Sequence, residues 1–223
     1  MSADRAVPKS GPVVAIDGPA GAGKSSLARR LAEALGIAFL NTGAMYRSLA
    51  RVALERGMDT SDATALARLA QELRFSIDPS ASPPGLLVDG RRPGDDLASP
   101  EVEAVVSAVA RHPEVRAVMR AEQRRLGSEG AVIEGRDIGT HVFPDADLKV
   151  FLQAEPGERA VRRQTERGTE NPALAEALAR RDAQDAKTNP LVPAPDAKVI
   201  DTTGQDLDDV FDEVLALVRA AMT

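Results

Sequence analysis

Cysteine is absent from this chain of 223 residues, which excludes disulfide bonds, thiolate catalysis and cysteine-based zinc sites. Aromatic residues make up only 3% of the sequence, with no tryptophan and a single tyrosine, so the core must be built mainly from alanine, valine, leucine and isoleucine. The two histidines, His112 and His141, lack the spacing of a metal site, and neither is assigned a role.

An excess of positive charge is also missing, because the formal net charge is −6. Binding to a nucleic-acid polymer needs a basic surface that displaces counterions, so no such partner is expected. Long hydrophobic runs are missing too: none is long enough to span a bilayer, and residues 1–12 lack the apolar segment of a signal peptide. We therefore expect no membrane partner and a cytoplasmic location, with residues 1–12 as a disordered lead-in and residues 13–223 as a single domain.

The sequence does contain a regular alternation of short apolar runs with long helical stretches. Five runs predict buried strands, at residues 13–17, 37–41, 131–135, 148–153 and 197–201. Helical spacing predicts helices at residues 25–35, 44–56, 99–110, 113–126, 156–167, 171–187 and 207–221. This order is typical of an α/β fold, with a five-stranded, doubly wound parallel sheet of the P-loop NTPase type that is flanked by helices. Two short strands around a Pro/Gly turn, between Arg74 and Asp95, predict a small antiparallel sheet inserted into this body.

The segment GPAGAGKS, Gly18 to Ser25, follows a predicted strand, opens a predicted helix and satisfies the pattern G-x-x-x-x-G-K-[ST]. Glycines let successive backbone N–H groups point into one concavity, which binds phosphate oxygens in front of the helix N-terminus. Lys24 can reach the β- and γ-phosphates of a nucleotide, and the Ser25 hydroxyl can ligate Mg²⁺. The alternative, a glycine-rich turn that carries a lysine by chance, does not explain the strand before it and the helix after it. The predicted ATP-binding residues are Gly18, Pro19, Ala20, Gly21, Ala22, Gly23, Lys24, Ser25 and Ser26.

A phosphate loop alone does not distinguish a kinase from a switch GTPase. One D-x-x-G occurs, at Asp201 to Gly204, but too little chain follows it for a guanine-reading loop, and no N-K-x-D occurs anywhere. A GTPase is therefore disfavoured.

Polar and basic residues follow two other predicted strands. NTGAMYR carries Thr42, Tyr46 and Arg47, and EGRDIGT carries Arg136 and Asp137. Ligands of open parallel sheets bind beyond the carboxyl ends of the strands, so these residues and the phosphate loop should face one crevice. Each has an ordinary alternative: a core tyrosine, an exposed helix cation and a surface ion pair. Their coincidence beside a phosphate loop favours a site for a phosphorylated acceptor.

Arginines are concentrated in the predicted helix at residues 156–167, where Arg159, Arg163 and Arg167 follow i, i+4, i+8 and share a face. Like charges stacked in this way repel, so a polyanion that pairs with them would explain their presence. We interpret this helix and the next, at about residues 155–188, as a lid that supplies cations to a transferring phosphoryl group. The alternative is a solvated helical face.

Several segments together resemble the bacterial cytidylate kinases, a family of nucleoside monophosphate kinases, along nearly the whole chain after the lead-in. These segments are IDGPAGAGKSSLA (16–28), NTGAMYR (41–47), EGRDIGTHVFPDAD (134–147), ERAVRR (158–163), RRDAQD (180–185) and PLVPAPDAKVID (190–201). The resemblance implies a lid and a nucleoside-monophosphate-binding insert at about residues 60–126, which includes the small antiparallel sheet. It also implies a monomer that transfers the γ-phosphoryl group of MgATP to CMP and dCMP.

The resemblance assigns roles to individual residues. The acceptor phosphate would be held by Arg47 and Arg136, and the cytosine would be read by Ser107, Arg116 and Asp137. The full set of predicted substrate-binding residues is Thr42, Tyr46, Arg47, Ser107, Arg116, Arg136, Asp137, Arg181 and Asp185. The predicted catalytic residues are Lys24, Arg136 and Arg163, and the predicted Mg²⁺ ligand is Ser25, with Glu134 acting through water.

Two positions depart from the family pattern. The segment after Asp185 lacks a further arginine, for which Lys187 would substitute without the bidentate fork of a guanidinium. Position 134 is Glu where some relatives have Asp, which is a mild change. Two rival interpretations stay open: a kinase of similar fold for another acceptor, such as UMP or a small metabolite like shikimate, and a non-catalytic ATP-binding or switch protein.

Overall fold

The computed structural model describes residues 11–167, 182–183 and 191–222. The predicted helix at residues 171–187 lies outside the described residues, apart from 182 and 183, and so do Arg181, Asp185 and Lys187. Of the lead-in predicted at residues 1–12, only Gly11 and Pro12 are described, and the Pro12 carbonyl accepts a hydrogen bond from Ala131 N at 3.0 Å.

Within the described residues, seven strands form one sheet in the order β3-β4-β2-β5-β1-β6-β7. The strands are β1 (Val13–Asp17), β2 (Ala38–Asn41), β3 (Phe75–Asp78), β4 (Gly85–Val88), β5 (Ala131–Gly135), β6 (Leu148–Gln153) and β7 (Lys198–Asp201). The five strands predicted to be parallel, β2, β5, β1, β6 and β7, are neighbours in that order and pair in parallel. The α/β fold with a doubly wound parallel sheet is therefore confirmed.

The predicted antiparallel element is also confirmed, since β3 and β4 pair antiparallel. This hairpin extends the main sheet, because β4 pairs in parallel with β2 through Phe39 and Gly85. The insert is thereby attached to the edge of the sheet next to β2, whose carboxyl end carries part of the predicted acceptor site.

The described helices cover both faces of the sheet. They are α1 (Lys24–Leu35), α2 (Thr42–Glu55), α3 (Ala63–Glu72), α4 (Pro100–Ala110), α5 (Pro113–Gly127), α6 (Pro156–Arg167) and α7 (Leu207–Ala221). Six of them match predicted helices to within two residues at each end, and Gly36 ends α1 with a φ of 66°. None of the described helices combines the length and apolar character needed to cross a membrane.

Three helical segments were not predicted. Helix α3 begins after Asp62, whose side chain accepts a hydrogen bond from Ala65 N, and it buries Leu66 and Leu69. A 3₁₀-helix lies at Asp95–Ala98, and a π-helical turn lies at Ile138–Val142. Short turns of these two kinds have no hydrophobic period that a sequence pattern can detect.

The core has two layers because β1, an interior strand between β5 and β6, is buried on both faces. Val13 and Ala15 pack with residues of α2 to α5, whereas Val14 and Ile16 pack with residues of α1 and α7. Alternate residues of a strand point to opposite faces, so four consecutive apolar residues supply both layers. Because β2, β5 and β1 are parallel neighbours, their carboxyl ends lie at one edge of the sheet.

Candidate active site

The phosphate loop connects β1 to α1 and bends at three glycines with positive φ: 145° at Gly18, 76° at Gly21 and 87° at Gly23. A Cβ atom on Gly18 would lie 2.2 Å from the carbonyl oxygen of Leu152, and one on Gly21 would lie 2.7 Å from that of Arg159. The loop therefore fits closely against the end of β6 and the start of α6, and side chains are excluded there.

Lys24 begins α1 and is buried. Its Nζ donates a hydrogen bond to the Pro19 carbonyl at 2.6 Å, which folds the side chain back over the loop. Burial, followed by the nearby Arg136, lowers the pKa of Lys24 to about 7, although Glu134 and Asp17 act in the opposite direction. A phosphate group beside this amine would supply the negative charge that its protonated form needs.

Ser25 and Glu134 meet across the end of the sheet. The Ser25 hydroxyl donates a hydrogen bond to Glu134 Oε1 at 2.6 Å, and Glu134 is buried at the end of β5. A hydroxyl and a carboxylate side by side are the hard oxygen donors that Mg²⁺ prefers, with water and phosphate oxygens completing its shell. Within the described residues there is no group of three or more His, Cys, Asp or Glu side chains that could hold a metal ion.

Asp17, the last residue of β1, was not predicted as a site residue. Its Oδ1 accepts a hydrogen bond from Ile138 N at 2.9 Å, and its Oδ2 accepts one from Gly139 N at 2.8 Å. Burial raises the pKa of Asp17 to about 6, against the opposing effect of these two backbone hydrogen bonds. The feature of the sequence that could have identified Asp17 is a carboxylate at the end of an otherwise apolar strand. Its hydrogen-bond partners could not be predicted, because they are more than 120 residues away.

One cavity joins the phosphate loop to the predicted acceptor residues. The predicted residues that line it are Ala20, Gly21, Lys24, Ser25, Thr42, Tyr46, Arg47, Ser107, Arg116, Glu134, Arg136, Asp137 and Arg163. Arg111 also lines the cavity and was not predicted. The phosphate loop and the two strand-end segments thus face one crevice, as predicted from the strand ends, and Ser107, Arg116 and Arg163 line it as well.

The start of α2 forms one wall of this cavity. The Thr42 hydroxyl donates to the Glu134 carbonyl at 2.7 Å, which joins β2 to β5 beyond their last paired residues. Arg47 turns back over Gly43, since a Cβ there would lie 3.0 Å from its Nη1. Burial raises the pKa of Tyr46 to about 12, so its phenol stays protonated at neutral pH. Tyr46 lines the cavity and also packs against the hydrophobic core, so the predicted site position and the alternative of a core tyrosine both hold in part.

Asp137 lies opposite, held by helix α5. Its Oδ2 accepts hydrogen bonds from Arg116 Nη2 at 2.8 Å and from Arg120 Nη2 at 2.6 Å. The carboxylate is largely buried, with a side chain that is 14% exposed. Arg120 was not predicted, because its partner Asp137 is 17 residues away in sequence and belongs to another element.

Asp182, which was not predicted either, lies against the phosphate loop. Its carboxylate pairs with Arg159 and lies 3.5 Å from Arg136 Nη1. Its Oδ1 also accepts a hydrogen bond from Ala20 N at 3.4 Å, and Arg159 Nη1 donates to the Ala20 carbonyl at 3.0 Å. The solvated face that was the alternative for the α6 arginines does not apply to Arg159, which is buried.

The neighbouring arginines of α6 face two different cavities. Arg163 lines the main cavity, and its Nη2 lies 3.3 Å from Glu103 on α4, so it links the predicted lid to the insert. Arg162 donates to the hydroxyl and the carbonyl of Thr202, at 2.9 and 2.5 Å. Both Arg162 and Thr202 line a second cavity of about 330 Å³, on the far side of Gly23, whose walls are mostly apolar.

A parallel sheet with a glycine-rich loop after the central one of its five parallel strands defines a P-loop protein, and here the cavity beside the loop also contains arginines from other segments. The family model described as "Cytidylate kinase" matches residues 14–220. The chain belongs to the cytidylate kinase family. The resemblance drawn from the sequence motifs is thereby confirmed.

Curated relatives are similar along most of this chain. The cytidylate kinase of Streptomyces avermitilis is 45% identical over 215 residues, which are 93% of this chain and 92% of that protein. The cytidylate kinase of Anoxybacillus flavithermus is 43% identical over 214 residues, covering 92% of this chain and 95% of that protein.

Other relatives are longer. The bifunctional pantoate ligase/cytidylate kinase of Synechococcus sp. (strain JA-3-3Ab) is 46% identical over 95% of this chain, and the match covers 42% of that protein. The chain thus spans less than half the length of such bifunctional relatives. Among solved structures, an uncharacterized protein from Eubacterium ventriosum superposes with a TM-score of 0.51 at 13% identity, over 93% of this chain and 98% of that one, which is a likeness of fold alone.

Proposed function

We propose that this chain transfers the γ-phosphoryl group of ATP to CMP and dCMP, giving ADP and CDP or dCDP. The observation that carries the proposal is the single cavity that runs from Lys24 of the phosphate loop to the Arg116–Asp137 pair, in a chain of the cytidylate kinase family. Its two ends suit two ligands, a triphosphate and a phosphorylated pyrimidine.

On the donor side, the backbone N–H groups of Gly18 to Ser25 would bind the β-phosphate, and Lys24 would bridge the β- and γ-phosphates. Ser25 and Glu134 would hold Mg²⁺, directly and through water, and the ion would offset charge on the phosphate oxygens. The second cavity suits the adenine, because its walls are mostly apolar and Arg162 offers a planar guanidinium for stacking.

On the acceptor side, Arg47 and Arg136 would bind the phosphate of the monophosphate. The family resemblance implies that Arg181 and Asp185 would contact its ribose and phosphate side. Ser107, Arg116 and Asp137 would read the base. A guanidinium donates to the O2 and N3 edge of cytosine, and a carboxylate accepts from its exocyclic amine, which uracil lacks.

In the proposed reaction, an acceptor phosphate oxygen attacks the γ-phosphorus while the bond to the β,γ-bridging oxygen breaks and ADP leaves. The attacking oxygen is already anionic, so no strong general base is needed. Lys24, Arg136 and Arg163 would neutralise the charge of the transferring group and fix its position. Water has to be kept out, since it would otherwise hydrolyse ATP. A monomeric state and a cytoplasmic location remain predictions.

The test is a coupled assay of ADP release from MgATP with CMP, dCMP, UMP, AMP, GMP or no acceptor. We expect strong turnover with CMP and dCMP and little with the others. No turnover with CMP but turnover with another monophosphate would contradict the roles assigned to Ser107, Arg116 and Asp137 in recognising the base. Equal ADP release with and without acceptor would contradict the kinase proposal and favour an ATPase or a switch protein.

A further inference from the structure

Helix α5 contacts the turn that follows β5 through three arginines spaced four residues apart. Arg116 and Arg120 donate to the side chain of Asp137 at the start of the turn. Arg124 donates to the carbonyls of His141 and Val142 at its end, at 2.5 and 2.8 Å. Residues at i, i+4 and i+8 lie on one face of a helix, so a single stripe of α5 contacts both ends of the turn.

The contacts to the Asp137 carboxylate are asymmetric. Both arginine hydrogen bonds end on Oδ2, and His141 Nδ1 also lies nearest to Oδ2, at 3.6 Å. Among the described residues, no hydrogen bond reaches Oδ1. The carboxylate thus has one oxygen that is fixed by the protein and one acceptor oxygen that remains for another donor.

Arg116 and Arg120 differ in their access to the cavity. Arg116 and Asp137 line it, whereas Arg120 does not. The Arg120 Nε is a buried donor without a hydrogen-bond partner in the described part of the chain, so its Nη2 contact to Asp137 is what holds the guanidinium in place. The hydrogen bond by which Arg120 acts on the cavity therefore goes to Asp137, and its charge also lies near Tyr46.

We infer that Arg120 is a positioning residue for base selection: with Arg116 it fixes Oδ2 of Asp137, so that Oδ1 accepts a hydrogen bond from the exocyclic amine of an aminopyrimidine monophosphate. This inference rests on the proposed function. A pyrimidine with a keto oxygen at the same place would set that oxygen against Oδ1, and both are hydrogen-bond acceptors. Because the carboxylate is held in one orientation, such a pyrimidine binds less well. If Arg120 is removed, Asp137 gains freedom to rotate, and the discrimination falls.

The experiment compares kcat/KM for CMP and for UMP in the unmodified chain, Arg120→Met, Arg120→Lys and a control, Arg125→Met. Arg125 is on the same helix and is bonded to Glu122 and to the Phe75 carbonyl, away from the turn. In Arg120→Met we expect the CMP-to-UMP ratio of kcat/KM to fall roughly tenfold, mainly through a higher KM for CMP, with the KM for ATP changed less than about twofold.

Lysine at position 120 still donates to Oδ2 but lacks the planar fork, so Arg120→Lys should recover part of the ratio, and Arg125→Met should keep all of it. Melting temperatures of all four proteins are measured in parallel, and Arg120→Lys gives the result if Arg120→Met does not fold. An unchanged ratio in a folded Arg120 variant, or equal losses with CMP and UMP, would overturn the inference alone. Absence of CMP turnover in the unmodified chain would overturn the proposed function and this inference with it.

Discussion

The two ends of the main cavity are built in different ways. The phosphate loop is a run of eight consecutive residues, Gly18 to Ser25, and it offers mostly backbone N–H groups. The opposite end is built from side chains of α2, α5 and the turn after β5, such as the pair of Arg116 and Asp137. A backbone site can be identified by its motif, whereas a site of side chains exists only once the fold is formed.

The charges of the two ends differ as well. Lys24 is a buried cation that lacks a carboxylate hydrogen-bond partner among the described residues and whose pKa is lowered to about 7. The Arg116 and Arg120 guanidiniums are both paired with Asp137. A phosphate would therefore supply a counter-charge at the Lys24 end, whereas at the opposite end the single Asp137 carboxylate already offsets part of the charge of the two guanidiniums.

The strongest test of this difference is Lys24→Ala. Loss of the phosphate-loop cation should lower kcat by about 10³-fold or more with every acceptor, because the charge of the transferring group is no longer offset. The measurement is ADP release with CMP, dCMP and UMP. Lys198→Ala, which removes an exposed lysine on β7, should behave like the unmodified chain. Near-normal turnover of Lys24→Ala would contradict the assigned role.

Asp137→Ala tests the acceptor end. The value of kcat/KM for CMP should fall by about 10²-fold, since the base loses its acceptor and two arginines lose their partner. ATP affinity, measured by calorimetry, should stay within about twofold of that of the unmodified chain, because the phosphate loop would bind ATP through its own backbone N–H groups. Asp145→Ala, at an exposed position after the same turn, serves as the control. Equal losses of CMP use and ATP affinity would show that the two ends are not separable.

The smallest expected effect is the uptake of a proton when ATP binds. Burial lowers the pKa of Lys24 to about 7, well below the usual value for a lysine, so we expect neutral Lys24 to predominate at pH 8. A polyanion favours the charged amine and raises its pKa, so ATP binding at pH 8 should take up a proton, and ATP affinity should decrease as the pH rises above 7. Asp17, with a pKa of about 6, is already ionised there and adds little.

Calorimetry in two buffers of different ionisation enthalpy measures this uptake, which should approach about one proton per site at pH 8. The difference between the buffers should disappear in Lys24→Ala. Proton release, or the same uptake in both proteins, would contradict a buried, largely neutral lysine.

The sequence predicted the scaffold well because its signals are local. Apolar runs identified the five parallel strands, and Gly36 marked the end of α1 with its left-handed backbone. Helix α3 was missed although Asp62 caps it, because the alanine-rich segment after it has few large apolar residues. The pairing of β4 with β2 could not be predicted, since a short hairpin does not indicate which strand lies next to it.

The site was predictable where it follows a motif or a strand end, as at Lys24 and Arg136. Ser107 and Arg116 came from the family resemblance and not from any local pattern. Arg120 and Asp182 were missed, because each matters through a partner that is distant in sequence. Like the Asp17 hydrogen bonds, such contacts depend on topology, which a single sequence does not state.

Asp17 carries a consequence for the angle at which the proposed reaction would take place. Its two oxygens join the strand that precedes the phosphate loop to the backbone that follows Arg136 and Asp137. Phosphoryl transfer needs the entering and leaving oxygens roughly in line through the phosphorus. Because one carboxylate connects both parts of the site, the sheet itself would set that alignment. Movement of other segments would then change access to the phosphorus more than the direction of attack.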